Sequence, residues 1–320
     1  MSVLKKIDIH NIEGYHIGNK EIPDAGTGST VILCDGKTTG AVDIRGGAPA
    51  SREAGLLNPL AANDAVNAVL LSGGSAYGLD AASGIMQYLE EKGKGFDVGD
   101  GVVPIVCASC IFDLGFNKFH VRPDKQFGYD LCKNAEENNY KDGNYGCGCG
   151  ATAGKVMGPA HMMKTGIGSA AYQLGDIQIG AVVAVNCVGD VYDIHTGKKI
   201  AGVIDYDTKQ FIDAEEIMYA GQLKAQEHTN TTIGCIITNC DFNKTELTKI
   251  AGMAHDGMAR AIRPVHTMFD GDSLYALGNH KVKCDINAAG TLAARVVAEA
   301  VANAAYNADT SCGVLANKDL

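Results

Sequence analysis

Asn230-Thr231-Thr232 stands where a polar stretch, Gln222–Thr229, gives way to an apolar run, Thr232–Thr238. A hydroxyl at the head of a buried strand is held rigidly and can be reached from the loop side, a placement that suits a nucleophile. The same three residues form a glycosylation sequon, which has meaning only in a secreted chain. Asp270 and Asp272 flank Gly271 just before a second apolar run, so both carboxylates lie near the start of a strand. By themselves they read as a turn with solvated aspartates.

Other motifs are weaker. Gly143–Lys155 is glycine-rich and ends in Gly154-Lys155, but a phosphate loop needs glycine where Cys149 stands and Ser or Thr where Val156 stands. What remains is a tight turn presenting Lys155. Gly73–Gly78 follows an apolar run and opens a helical pattern, as a nucleophile elbow does. The elbow needs glycine where Tyr77 stands, so Ser75 reads as a capping hydroxyl at a strand-to-helix turn. Cys107 and Cys110 form a C-x-x-C with no second pair at zinc spacing and read as small buried thiols. His255 and His266 sit in no ligand pattern, so neither a metal nor a cofactor is expected.

The elements that must position these residues follow from hydrophobic periodicity. Strands are predicted at Thr30–Cys34, Gly40–Ile44, Val66–Leu71, Val102–Val106, Ala181–Asn186, Thr232–Thr238 and Ser273–Leu277. Helices are predicted at Leu79–Glu91, from Pro123 through Asn134, at Lys244–Ile262 and at about Ile286–Tyr306. The third places Leu247, Ile250, Ala251, Ala254 and Met258 on one face, behind a capping box of Asn243 and Glu246. The last is apolar nearly all round, as a helix sandwiched between layers would be. Strands and helices mix without a regular βαβ period, so layered α/β with two sheets in one domain, 1–320, is expected.

Composition narrows the classes. Of 320 residues, 46% are hydrophobic and 20% charged, an ordinary globular balance. The net charge of −10 argues against a nucleic-acid partner, which selects a basic face. No run nears the roughly 20 apolar residues of a membrane helix. The N-terminal residues lack the apolar core of a secretory signal, so a cytoplasmic protein is expected, with its eleven cysteines as free thiols. Glycine, at 40 residues, is enriched and clusters at the ends of apolar runs, where tight turns and close backbone approaches build a site.

Taken together, Thr27–Val31 (TGSTV), Asp43–Pro49 (DIRGGAP), Leu71–Leu79 (LSGGSAYGL), Arg122–Asp124 (RPD), Gly150–Lys155 (GATAGK), Asn230–Ile233 (NTTI) and Phe269–Asp272 (FDGD) resemble the family of L-aminopeptidase/D-amidase-esterases, β-aminopeptidases and nylon-oligomer hydrolases. The match runs nearly end to end, and the NTT and DGD forms are most similar to the nylon-oligomer branch. The resemblance implies an αββα layered sandwich of the N-terminal-nucleophile type, with an architecture like that of ornithine acetyltransferase. It implies self-cleavage between Asn230 and Thr231 into segments 1–230 and 231–320, which stay associated. Thr231 falls on the family's nucleophile, Asp270 and Asp272 on its acidic pair, Asn186 on its oxyanion donor, and Lys155 on a lysine near the nucleophile. Phe112 stands where the family carries an active-site tyrosine. A small peptide or amide substrate and a homo-oligomer, with a tetramer favoured, are also implied. The same fold leaves open an acyltransferase of the ornithine acetyltransferase type or an inactive binding homologue.

Overall fold

The computed structural model describes residues 4–224 and 230–320, so most of the polar stretch Gln222–Thr229 lies outside the described residues. The main strands are β1 (Leu4–Ile7), β2 (Tyr15–Ile22), β3 (Thr27–Cys34), β4 (Thr39–Ile44), β5 (Ser51–Arg52), β6 (Ala68–Ser72), β7 (Val106–Cys110), β8 (Ile167–Leu174), β9 (Ile177–Asn186), β10 (Thr231–Cys240) and β11 (Ser273–Val282). The helices are α1 (Ala81–Glu91), α2 (Lys125–Glu136), α3 (Ala214–Tyr219), α4 (Lys244–Ala261) and α5 (Ile286–Tyr306).

Two sheets form the middle of the molecule. The first runs β1-β8-β9-β10-β11-β4 and the second β2-β3-β6-β7-β5. Pairing is antiparallel except between β10 and β11 and between β6 and β7. Helices α4 and α5 cover the outer face of the first sheet, and α1 and α2 that of the second. The order of layers is therefore helix, sheet, sheet, helix, the expected αββα sandwich.

Strand β10 shows why the sequence folds this way. All ten of its residues are buried, so it reads as a run rich in β-branched residues without polar alternation. Its faces still alternate. Ile233, Cys235 and Ile237 enter the core between the sheets, while Ile236 and Cys240 face α4 and α5. The same period on β9 sends Val182 and Ala184 between the sheets and Val183 and Val185 towards the helices.

Several boundaries differ from the sequence-based expectation. Pro104 breaks the predicted strand Val102–Val106. Val102–Val103 forms a two-residue hairpin with Phe96–Asp97, and the core strand is β7, which carries Cys107 and Cys110 as buried thiols. Strands β1, β2 and β8 and the short helix α3 were not expected. In β2 and β8, Gly18 and Gly168 lie where a Cβ would strike the backbone of α2 and α5. Close helix contact thus selects residues of low strand propensity. Ser75 does not cap its turn: Gly74, in the left-handed region, is the cap residue, and no side chain caps the helix start. No helix among the described residues is long and apolar enough to cross a membrane.

Candidate active site

Register brings the first two site residues together. β9 ends and β10 begins at the same edge of the sandwich, and Asn186 is the direct partner of Thr231. By the two-residue period both side chains point into the space between the sheets. Both are withdrawn from solvent, Thr231 at 4% exposure and Asn186 at 0%.

The peptide bond before Thr231 is closely held. The Thr231 hydroxyl donates to the carbonyl oxygen of Asn230, its own preceding residue. The same oxygen accepts the backbone N–H of Gly271 at 2.9 Å. The Asn230 N–H in turn donates to the carbonyl of Phe269 at 3.3 Å, so Asn230 is bridged to the segment that carries the aspartates. Gly271 has to be glycine here, since a Cβ would lie 2.9 Å from the Thr231 hydroxyl and 2.7 Å from the carbonyl oxygen of Ala48.

Neither aspartate is the solvated turn residue that the sequence by itself suggests, for each is 1% exposed. Asp272 Oδ1 accepts the N–H of Thr232 at 2.7 Å, which ties it to the residue after the candidate nucleophile. Its Oδ2 accepts the N–H of His266 at 3.0 Å and the ring Nδ1 at 2.8 Å. Asp270 accepts the N–H of Val188 at 3.3 Å, the N–H of Thr267 at 3.1 Å and the Thr267 hydroxyl at 2.5 Å. Burial first, and then the nearby charge of Asp272, hold Asp270 above the usual carboxylate range.

The orientation of the Asn186 amide follows from its neighbours. Its Oδ1 receives Lys155 Nζ at 2.7 Å, the Thr152 N–H at 3.1 Å and the Thr152 hydroxyl at 3.3 Å. Two of these groups can only donate, so the oxygen must face them and the NH2 must face away. One N–H of that NH2 meets the carbonyl of Phe112 at 3.0 Å. An amide has two such hydrogens, so a second donor is left for an oxyanion. Lys155 also donates to the Asn186 backbone carbonyl at 3.0 Å, and burial pushes its amine down to about 8. The glycine-rich turn that presents Lys155 rests on Lys164, fully buried, which donates to the carbonyls of Gly148 at 2.9 Å and Ala151 at 3.0 Å.

Thr152 and Lys155 also line a cavity walled by Phe112, Phe116, Pro159 and Met162. All five expected site residues therefore belong to two hydrogen-bonded clusters that meet where β9 pairs with β10. Sequence reasoning missed the groups behind them. His266, Thr267 and Gly271 carry no pattern of their own, although the last two lie within a few residues of the acidic pair. Thr152 was legible only as part of the glycine-rich turn.

Comparison with known proteins gives the family and the fold. Residues 8–318 match the model of Peptidase family S58. An uncharacterized aminopeptidase of Mycobacterium leprae is 40% identical, over 88% of this chain and 80% of its own length. A 6-aminohexanoate-oligomer endohydrolase of Kocuria sp. is 32% identical, over 91% of this chain and 84% of its own. Among solved structures, the L-aminopeptidase D-Ala-esterase/amidase of Ochrobactrum anthropi, a variant of the Ntn-hydrolase fold, superposes with a TM-score of 0.70. It is 16% identical, and the match covers 94% of this chain and 86% of that one. At that identity the superposition establishes the Ntn-hydrolase fold alone, whereas the family match and the sequence relatives carry the activity. With 311 consecutive positions between residues 8 and 318 inside the family model, the chain belongs to peptidase family S58 and is a hydrolase of amide bonds.

Proposed function

We propose that this hydrolase matures by cutting its own backbone between Asn230 and Thr231, and that the freed Thr231 is its nucleophile. The observation that carries the reading is the arrangement at one peptide bond. The Thr231 hydroxyl lies on the carbonyl of Asn230, and the Gly271 N–H already donates to that carbonyl oxygen at 2.9 Å.

In the intact chain, Thr231 Oγ1 attacks the carbonyl carbon of Asn230, and the negative charge that develops on the oxygen meets the Gly271 N–H. Collapse breaks the C–N bond as the proton lost by the hydroxyl passes to the departing nitrogen, which leaves Asn230 esterified to the Thr231 oxygen, with the amine of Thr231 free. Water then hydrolyses the ester. Holding hydroxyl and carbonyl together in advance removes several kcal/mol of the barrier.

The new α-amine, with a reference pKa of about 7.7–8.0, then acts as base for its own hydroxyl near neutral pH. The hydroxyl attacks a substrate amide to form an acyl-enzyme, which water releases as free acid. Asp272, on the N–H of Thr232, polarises the amine and hydroxyl together with Asp270. Asn186 supplies its second N–H to the tetrahedral oxyanion, with its amide pinned by Lys155 and Thr152, a contact typically worth about 3 kcal/mol. The cavity walled by Phe112, Phe116, Pro159 and Met162, with Asp113 and Lys155 also in its lining, receives part of the substrate. Short peptides, amino-acid amides and ω-amino-acid oligomers are the substrate classes, supported by the names of the relatives. A homo-oligomer, supported by the family resemblance, is the working form that goes with this reading, and the cytoplasm is its compartment.

Replacing the hydroxyl tests the proposal. Thr231→Ala is expected to run as one uncut chain on a denaturing gel and to hydrolyse no amide. The parent protein is expected to show a new amino terminus at Thr231. Two fragments and retained turnover in Thr231→Ala would remove the reading.

A further inference from the structure

His266 enters none of the chemistry above, yet it is bound twice to the same oxygen of Asp272. Its backbone N–H reaches Oδ2 at 3.0 Å and its ring Nδ1 reaches it at 2.8 Å. The other oxygen of Asp272 is committed to the N–H of Thr232 at 2.7 Å. Both donors come from one residue whose backbone stands at φ +58, in the left-handed region that few residues other than glycine enter.

The tautomer follows from the partners. An ionised carboxylate can only accept, so His266 Nδ1 carries hydrogen, and in the neutral ring Nε2 holds the lone pair. Nε2 is buried without a partner. The ring packs edge-on against that of His255, with centroids 4.7 Å apart. His255 is fully buried and donates Nε2–H to the carbonyl of Asp43 at 3.0 Å, which leaves its own Nδ1 unprotonated and also without a partner. Burial, before any other cause, pushes His255 down to about 4, so it stays neutral at neutral pH. The pair therefore offers Asp272 one oriented ring donor beside the backbone N–H, with the uncharged His255 ring behind it.

We propose that His266 is a positioning residue of the reaction centre: its two N–H donors clamp Asp272 Oδ2, so that Asp272 Oδ1 stays directed at the residues that head β10. The proposal rests on Thr231 being the nucleophile, because only then does the aim of Asp272 bear on the reaction. Freed from the clamp, the carboxylate rotates about its side-chain bonds, and a shift of about 1 Å at a reacting group costs on the order of 100-fold in rate.

The test compares two amides at position 266. In His266→Asn the side-chain NH2 falls where Nδ1 stands, and asparagine tolerates the left-handed backbone. In His266→Gln the amide falls one carbon further, near Nε2, and cannot reach Oδ2 in the same way. The kcat and KM for a small chromogenic amide are measured per mole of matured small subunit, quantified by intact-mass spectrometry, with melting temperatures alongside. His266→Asn is expected to keep kcat within about threefold of the parent, and His266→Gln to lose about 10- to 100-fold in kcat with KM little changed. His266→Gly, which has no side chain and no backbone strain, repeats the loss if His266→Gln does not fold. Equal losses in His266→Asn and the comparison variant would show that the ring is needed for packing alone, and equal retention would show that the clamp does nothing. Either result overturns the proposal. Failure of the nucleophile reading is separable, since it shows in the parent protein as activity without a new terminus at Thr231.

Discussion

At the scale of single residues, the site is built from groups that water would normally keep apart. Two carboxylates, each 1% exposed, share one short turn, and the arrangement holds because their oxygens accept from backbone N–H groups, a hydroxyl and an imidazole. Asp270 bears the strain, with burial and the charge of Asp272 raising its pKa in the folded chain. Linkage then fixes a sign. A carboxyl that holds its proton more tightly when folded stabilises the protein fully below the ordinary carboxylate range, and that contribution is lost as pH rises through the folded value. Asp270→Asn cannot ionise. In a Thr231→Ala background, which keeps the chain intact on our reading, the melting temperature of Asp270→Asn relative to its parent should move in favour of the asparagine as pH goes from about 4 to about 8. Thermal melts at several pH values check this, and a constant or oppositely moving difference would contradict it. The acidic pair itself was legible as a spacing. Its burial was not, because a D-G-D run looks the same in a solvated turn.

Among the elements, the helices and central strands were legible because burial imposes a period on them. Helix α5 spans the predicted residues, and Asn243 and Glu246 form the expected capping box, each side chain meeting the other's backbone N–H at 3.0 and 2.8 Å. What the pattern could not show is how near two elements come. Gly257 on α4 lies where a Cβ would run into the backbone carbonyl of Ala294 on α5. Helix propensity alone favours Gly257→Ala by about 1 kcal/mol. The obstacle is main chain in a neighbouring helix and cannot swing aside, so overpacking decides the sign. Gly257→Ala should destabilise the protein by about 1–3 kcal/mol. Denaturant titration reads this directly, and a stabilised variant would mean that the two helices separate freely. Lys244 is a similar case. It opens α4, where a lysine would ordinarily face water, but its ammonium is surrounded by the carbonyls of Leu56, Asn58, Ala61 and Asn63 at 2.7–3.3 Å. Nothing in the local sequence marks it as buried.

Over the whole molecule, the position of the proposed cut has a mechanical consequence. The segment from Thr231 onward supplies β10, β11, α4 and α5. It therefore holds two adjacent strands inside the six-stranded sheet, between β9 and β4, together with the helical layer over them. Breaking the bond before Thr231 leaves those strands paired on both sides. Separating the pieces would expose the inner core and the α4–α5 core at once, at about 25 cal/mol per Å² of apolar surface. The two segments should elute as a single species in native gel filtration and part only in denaturant. Elution of 231–320 by itself in native buffer would be inconsistent with this interlocking. The sequence by itself determined the long helices and most of the central strands, that they stack in layers, and that a threonine heads a buried strand, since each is a matter of local period and composition. Only the tertiary structure decided that Asn186 lies opposite Thr231, that the Gly271 N–H reaches the Asn230 carbonyl, and that His266 holds Asp272. Those pairings depend on strand register and on a turn's backbone angles, which join residues up to 45 positions apart and which no run of neighbouring side chains encodes.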